Sequence, residues 1–183
     1  MIGAIRGLVI ALLAACCTAA LAQNQPGKIL PVEGKVLDIV GVSLGIESAL
    51  KDLGAKVVGQ EIVIELSADV LFDFDKADLK PAAVDSLAKV AAVLKGMPGS
   101  PATIDGHTDG KGSDAYNLRL SKARARSVRD WLVSHQVLPC GTEIVGFGKS
   151  MPVAPNVFDD GSDNPEGRQK NRRVEITVET CKG

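Results

Sequence analysis

The chain is short of the residues that most recognition chemistries need. It has one Trp, one Tyr and four Phe among 183 residues, too few to build aromatic platforms for bases or sugar rings. Its formal net charge is -1. There is no basic excess to neutralise a phosphate backbone, and a nucleic-acid partner is not expected. His107 and His135 are the two histidines, and only four cysteines accompany them. Neither set has the spacing of a zinc site or of a catalytic thiol, so no metal and no cofactor are expected. No apolar run reaches the roughly 20 residues that span a bilayer.

The apolar stretch that is present lies at the N-terminus. Leu8 to Ala15 is unbroken, and Arg6 is the one charge among the first 22 residues. Ala20-Leu21-Ala22 then offers a small-x-small cleavage site, which makes 1–22 a signal peptide. Leu13-Ala14-Ala15-Cys16 supports a second reading, a lipobox with cleavage before a lipidated Cys16. Either route exports the chain. Cys140 and Cys181 are the pair outside the leader. In an oxidising compartment they read as one disulfide closing a loop of about 40 residues, worth roughly 4 kcal/mol in the chain-entropy view. Two free buried thiols are the alternative.

Residues 23–57 read as a tether and lead-in segment, and 58–181 as the folded domain. Ile62, Ile64 and Leu66 alternate with Glu61 and Glu65, as in a half-buried strand. Val70 to Asp75 is read as its continuation into a loop. Pro81 opens a helix whose apolar stripe is Val84, Leu87, Ala88, Ala91 and Leu94. A strand follows over 102–106, then a helix from about 114 to 135 with Leu118, Ala125, Val128 and Leu132 as its core face. Glu143 to Gly148 is a third strand. Residues 149–171 form a long polar loop, and Val174 to Val178 closes the sheet. The fold class is α+β, in the order β-α-β-α-β-β, with two helices packed on one face of a mixed four-stranded sheet.

One constellation carries chemistry. Asp109 follows a strand, and Asn117, Leu120 and Arg124 are spaced i, i+3, i+7 on the next helix, one stripe facing back toward it. A carboxylate, an amide and a guanidinium then converge. A second loop, Phe72 to Lys76, comes in from the side. Such a site suits a zwitterion: Arg124 can fork onto a carboxylate, Asp109 can accept from an ammonium, and backbone N–H groups near Asp75 can take the remaining oxygen. Diaminopimelate on uncrosslinked peptidoglycan stems exposes such an end. The plainer alternative is that Asp109 and Arg124 pair with each other as a structural salt bridge.

Asp105-Gly106-His107-Thr108-Asp109, followed by Asn117-Leu118-Arg119-Leu120-Ser121-Lys122-Ala123-Arg124-Ala125, resembles the signature of the OmpA-like C-terminal domain family. Val70 to Lys76 resembles its upstream block. Glu166-Gly167-Arg168 and Asn171 to Ile176 resemble its downstream block. The resemblance spans about 60 to 179 and implies a non-catalytic peptidoglycan-binding domain. It places the ligand-gripping Asp and Arg on Asp109 and Arg124, and the helper positions on Asn117, Leu120, Phe74 and Asp75. The position of Asp75 varies in the family between Asp and Asn. Arg172 and Arg173 match the closing motif and read as ties from the last strand to neighbouring acids. The chain is too short for the membrane barrel of the porin-like members, and it looks more like the free-standing or peptidoglycan-associated-lipoprotein members. The implied setting is the cell outer membrane or periplasm, linking wall to outer membrane or envelope proteins. Competing readings are an enzyme built on His107, Thr108 and Asp109, and an envelope docking protein without wall binding.

Overall fold

The computed structural model describes residues 48–139 and 141–179. The leader with Cys16, most of the lead-in segment, and both Cys140 and Cys181 lie outside the described residues. Strand β1 covers Lys56–Val58, β2 Glu61–Ser67, β3 Ala102–His107, β4 Glu143–Gly148 and β5 Arg173–Glu179. Helices α1 (Ala68–Leu71), α2 (Ala83–Lys95), α3 (Asp114–Ser134) and α4 (Pro165–Asn171) separate them. The sheet order is β1-β2-β5-β3-β4, antiparallel except for the parallel β3–β4 pair.

The sheet therefore has five strands, not four. The extra one is the three-residue β1, which forms a hairpin with β2, Val58 opposite Glu61. Gly59 takes a positive φ of 64° at the first of two turn positions, the glycine-first geometry that matches strand twist. Lys56 and Val57 thus belong to the sheet, although the sequence reading put them in the lead-in segment. Two more segments differ. Val70-Leu71 is helical, in α1, where continuation of a strand was expected. The 149–171 loop ends in a helix, α4, with Pro165 in its first turn and the Asn164 side chain accepting from Gly167 N.

One apolar core fills the space between the sheet and the helices. Ile62, Ile64 and Leu66 of β2 and Val174, Ile176 and Val178 of β5 point into it, paired across the two strands. Leu87, Val90, Ala91, Val93 and Leu94 close it from α2, and Ala125, Val128 and Leu132 from α3. The α2 face is rotated from the expected stripe: Val84 and Ala88 are exposed, Val90 and Val93 buried. Leu118 also faces outward, being too near the N-terminus of α3 to reach the core. Helix α3 instead lies directly on β3 and β4 there. A Cβ on Gly106 would stand 2.1 Å from the Ser121 carbonyl oxygen, and one on Gly146 would stand 2.7 Å from Lys122 Cβ. This close approach sets the first half of α3 against the strand end that carries Asp109.

The opposite face of β3 and β5 is polar. His107 is buried, stacked on Phe147 at 5.2 Å and 3.8 Å from Glu175, with no hydrogen bond at either ring nitrogen. Burial holds its pKa down at about 4, the Arg173 charge adding to the effect against the pull of Glu175 and Glu65. Asp105 is pushed up by burial, then by Glu175 and Glu143. Between the ordinary histidine value of 6.5 and about 4, the unfolded chain takes up a proton that folded His107 refuses. Stability then falls as pH drops through that window, by on the order of 3 kcal/mol. Asp105 acts in the opposite sense. The histidine's share is isolated by His107→Gln, for which we expect a shallower loss of urea midpoint between pH 7 and pH 4.5. Equal slopes in the two proteins would reject the assignment.

Candidate ligand-binding site

Four chain segments meet at the end of β3. The first is the turn Asp73–Lys76, closed by Lys76 N donating to Asp73 O at 3.1 Å. Asp75, its third residue, has a φ of 63°, a region that Asp tolerates better than most side chains. The turn aims the Lys76 carbonyl inward and holds Phe74 at its tip, 96% exposed. The second is the loop from Thr108 to Gly112. Asp109 caps it, accepting from Lys111 N at 3.0 Å, and buried Asn117 donates to Lys111 O at 2.8 Å. Asn117 thereby fixes the loop that orients Asp109. The third is α3, started by Ser113, whose hydroxyl accepts from Tyr116 N. The fourth is Arg172 at the entry to β5.

Asp109, Arg124, Asn117, Leu120, Phe74 and Asp75 all line one small pocket of about 140 Å³. Every residue singled out from the sequence as a ligand contact is thus brought to the same place. Larger cavities exist elsewhere, including one of about 650 Å³ beside α4. Size does not select the site here; the buried Arg124 guanidinium facing Asp109 does.

The charges are arranged unequally. Arg124 is buried, 5% exposed, and donates through Nε to Lys76 O at 2.9 Å. Its guanidinium sits 5.3 Å over the Phe72 ring. Among the described residues no carboxylate comes within 4.0 Å of it. Desolvation is the main influence on Arg124 and lowers its pKa, while Asp69, Asp75 and Asp109 counter it only from a distance. The structural salt bridge between Asp109 and Arg124, open in the sequence, is not formed. Asp109 pairs with Arg172 instead, Nη1 to Oδ2 at 2.9 Å.

Arg172 also forks onto Asp69 at 2.8 and 2.7 Å. That hydrogen bond is the largest influence on Asp69 and lowers its pKa. Arg172 thus ties β5 to α1 and to the Asp109 loop. Arg173 pairs within β5, with Glu175 at 2.6 Å, and donates to the Met151 carbonyl at 3.3 Å. Asp69 was missed as a site residue because Val70-Leu71 read as strand. Its signal was Ser67 followed two residues later by an acid, a helix-start pattern. His107 does not line the pocket; its nearest acid, Glu175, is on the polar sheet face.

These features define a class: an α+β module holding a small charge-separated pocket at a strand end, with a buried guanidinium that no described carboxylate pairs on one side and a carboxylate on the other. The chain belongs to the OmpA family, which matches residues 71–172, more than half of its length. It is 42% identical over 118 residues to outer membrane porin F of Pseudomonas aeruginosa, covering 64% of this chain and 32% of that one. It is 43% identical over 109 residues to peptidoglycan-binding protein ArfA of Mycobacterium tuberculosis, covering 60% and 32%. Among solved structures, the cell wall anchor of the type VI secretion system from Pseudomonas aeruginosa superposes with a TM-score of 0.62 at 27% identity, covering 76% of this chain and 97% of that one. The chain spans 18% to 34% of the length of the first curated relatives it matches.

Proposed function

We propose that this chain binds peptidoglycan without turning it over, gripping the free amino-acid end of a diaminopimelate side chain. It would thereby link the cell wall to the outer membrane or to envelope proteins. The observation that carries the reading is Arg124, a buried guanidinium without a carboxylate partner among the described residues. A buried charge in that state is costly, and a ligand carboxylate relieves it through the two-pronged contact that arginine favours. Asp109 stands across the same pocket to accept from the ammonium on the same carbon. Asp109 keeps acceptor capacity beyond its bonds to Lys111 N and Arg172. The names of its relatives support the wall as the partner, and the envelope as the setting.

Pull-down with purified sacculi tests this. We expect sedimentation of the chain with sacculi and no release of soluble fragments. Fragment release would favour an enzyme. Absence of binding would favour an envelope docking protein. Metabolic labelling with a fatty acid separates the two export routes, since only lipidation at Cys16 retains the label.

A further inference from the structure

A second cavity, of about 450 Å³, continues from the pocket and shares Asp69, Asp73, Phe74, Asp109, Lys111 and Arg172 with it. Its charge balance is reversed. The pocket around Arg124 is lined by four carboxylates and three cations, the adjoining cavity by three carboxylates and four cations. The difference comes from Lys80 and Arg168, which line only the second cavity, and from Asp75 and Arg124, which line only the first.

Each of the two cations keeps some donor capacity. Lys80 Nζ donates to the Asp69 backbone carbonyl at 2.7 Å, and no carboxylate lies within 4.0 Å of it among the described residues. Arg168 is 12% exposed at its side chain and pairs through Nη1 with Asp163. Its Nε is buried without a hydrogen bond, 3.9 Å from Asp109. A buried donor without an acceptor is costly, and an anion entering beside it removes that cost.

We propose that this cavity is a second subsite, taking another carboxylate of the same peptide whose zwitterionic end occupies the first. The inference rests on the reading of the first pocket as a site for that end. The shared lining calls for a second carboxylate close to the first, on the same residue or on the one before it. A stem peptide can supply such a carboxylate from its glutamate or from the other end of diaminopimelate itself.

The experiment is titration calorimetry of the full chain with three stem tripeptides, and with free meso-diaminopimelate as reference. The first, L-alanyl-γ-D-glutamyl-meso-diaminopimelate, has all its carboxylates. The second is amidated at glutamate and the third at the diaminopimelate carboxyl nearer the backbone. We expect one of the two amidations to weaken binding about tenfold, the loss of one charged hydrogen bond. Which amidation does so identifies the source of the carboxylate. In Lys80→Gln and in Arg168→Gln that penalty should shrink to within about twofold. Lys80 is at the surface edge of the cavity, so its variant serves even if Arg168→Gln disturbs folding. Wild-type indifference to both amidations, or an undiminished penalty in both variants, would overturn the second subsite while diaminopimelate still binds. Failure of the wild type to bind diaminopimelate or any tripeptide would overturn the first pocket's reading, and this one with it.

Discussion

Arg124→Ala should reduce sacculus binding by tenfold or more while leaving the chain folded, and Asp109→Ala should do the same. Each substitution deletes one partner of a charge-assisted hydrogen bond, about 1.5–3 kcal/mol or more. The two losses differ in kind. Among the described residues Arg124 makes one hydrogen bond, to the Lys76 carbonyl, and rests on Phe72. Removing it costs about 1–2 kcal/mol of stability but also removes a buried charge. Asp109 has a structural share as well, because Arg172 bonds to it. In Asp109→Ala, Arg172 keeps its fork on Asp69, so β5 stays tied to α1. Arg124→Lys should also weaken binding, since an ammonium cannot make the bidentate contact. Co-sedimentation, with thermal melts to confirm folding, measures all three. Unchanged binding in both alanine variants would remove the site assignment.

The pocket was legible in the sequence because its two halves obey short-range rules. Asn117, Leu120 and Arg124 share a stripe on any α-helix, and Asp109 sits in the loop just before it. The sheet was legible where one face is buried: the alternation of Ile62, Ile64 and Leu66 and of Val174, Ile176 and Val178 is what the β2–β5 register pairs. Helix α4 and the buried face of α2 were misread as well, but three other misses bear on the site or the sheet. Strand β1 is three residues long and fully exposed, so it shows no alternation, and its sign was the Gly59 turn. Helix α1 is a single turn, shorter than any periodic signal. The partner of Asp109 is set by tertiary approach: Arg172 is 63 residues away in the chain, and nothing local chooses it over Arg124. That choice matters most for the proposed function, because it leaves Arg124 buried and without a carboxylate partner among the described residues.

The site should prefer stems carrying meso-diaminopimelate over stems carrying lysine. Both side chains end in an ammonium that Asp109 can hold. Only diaminopimelate has a carboxylate on the same carbon, and only that carboxylate gives the Arg124 guanidinium a charged partner. With a lysine stem bound, Arg124 keeps the Lys76 carbonyl and nothing else of opposite charge within 4.0 Å among the described residues. The closing ligand also strips water from it. An unsatisfied buried group costs roughly 1–3 kcal/mol, more when charged, and the forgone charged hydrogen bonds add to that. A discrimination of about ten- to a hundredfold should follow, since each 1.4 kcal/mol is about tenfold. Calorimetric titration with matched soluble stem peptides measures it. Arg124→Ala should narrow the preference by weakening the diaminopimelate stem far more than the lysine stem, because the variant has no guanidinium to leave unpaired. Equal affinities in the wild type would mean that Arg124 does not read the carboxylate. Its buried charge would then have to be explained by the fold alone, through the Lys76 carbonyl and the Phe72 ring.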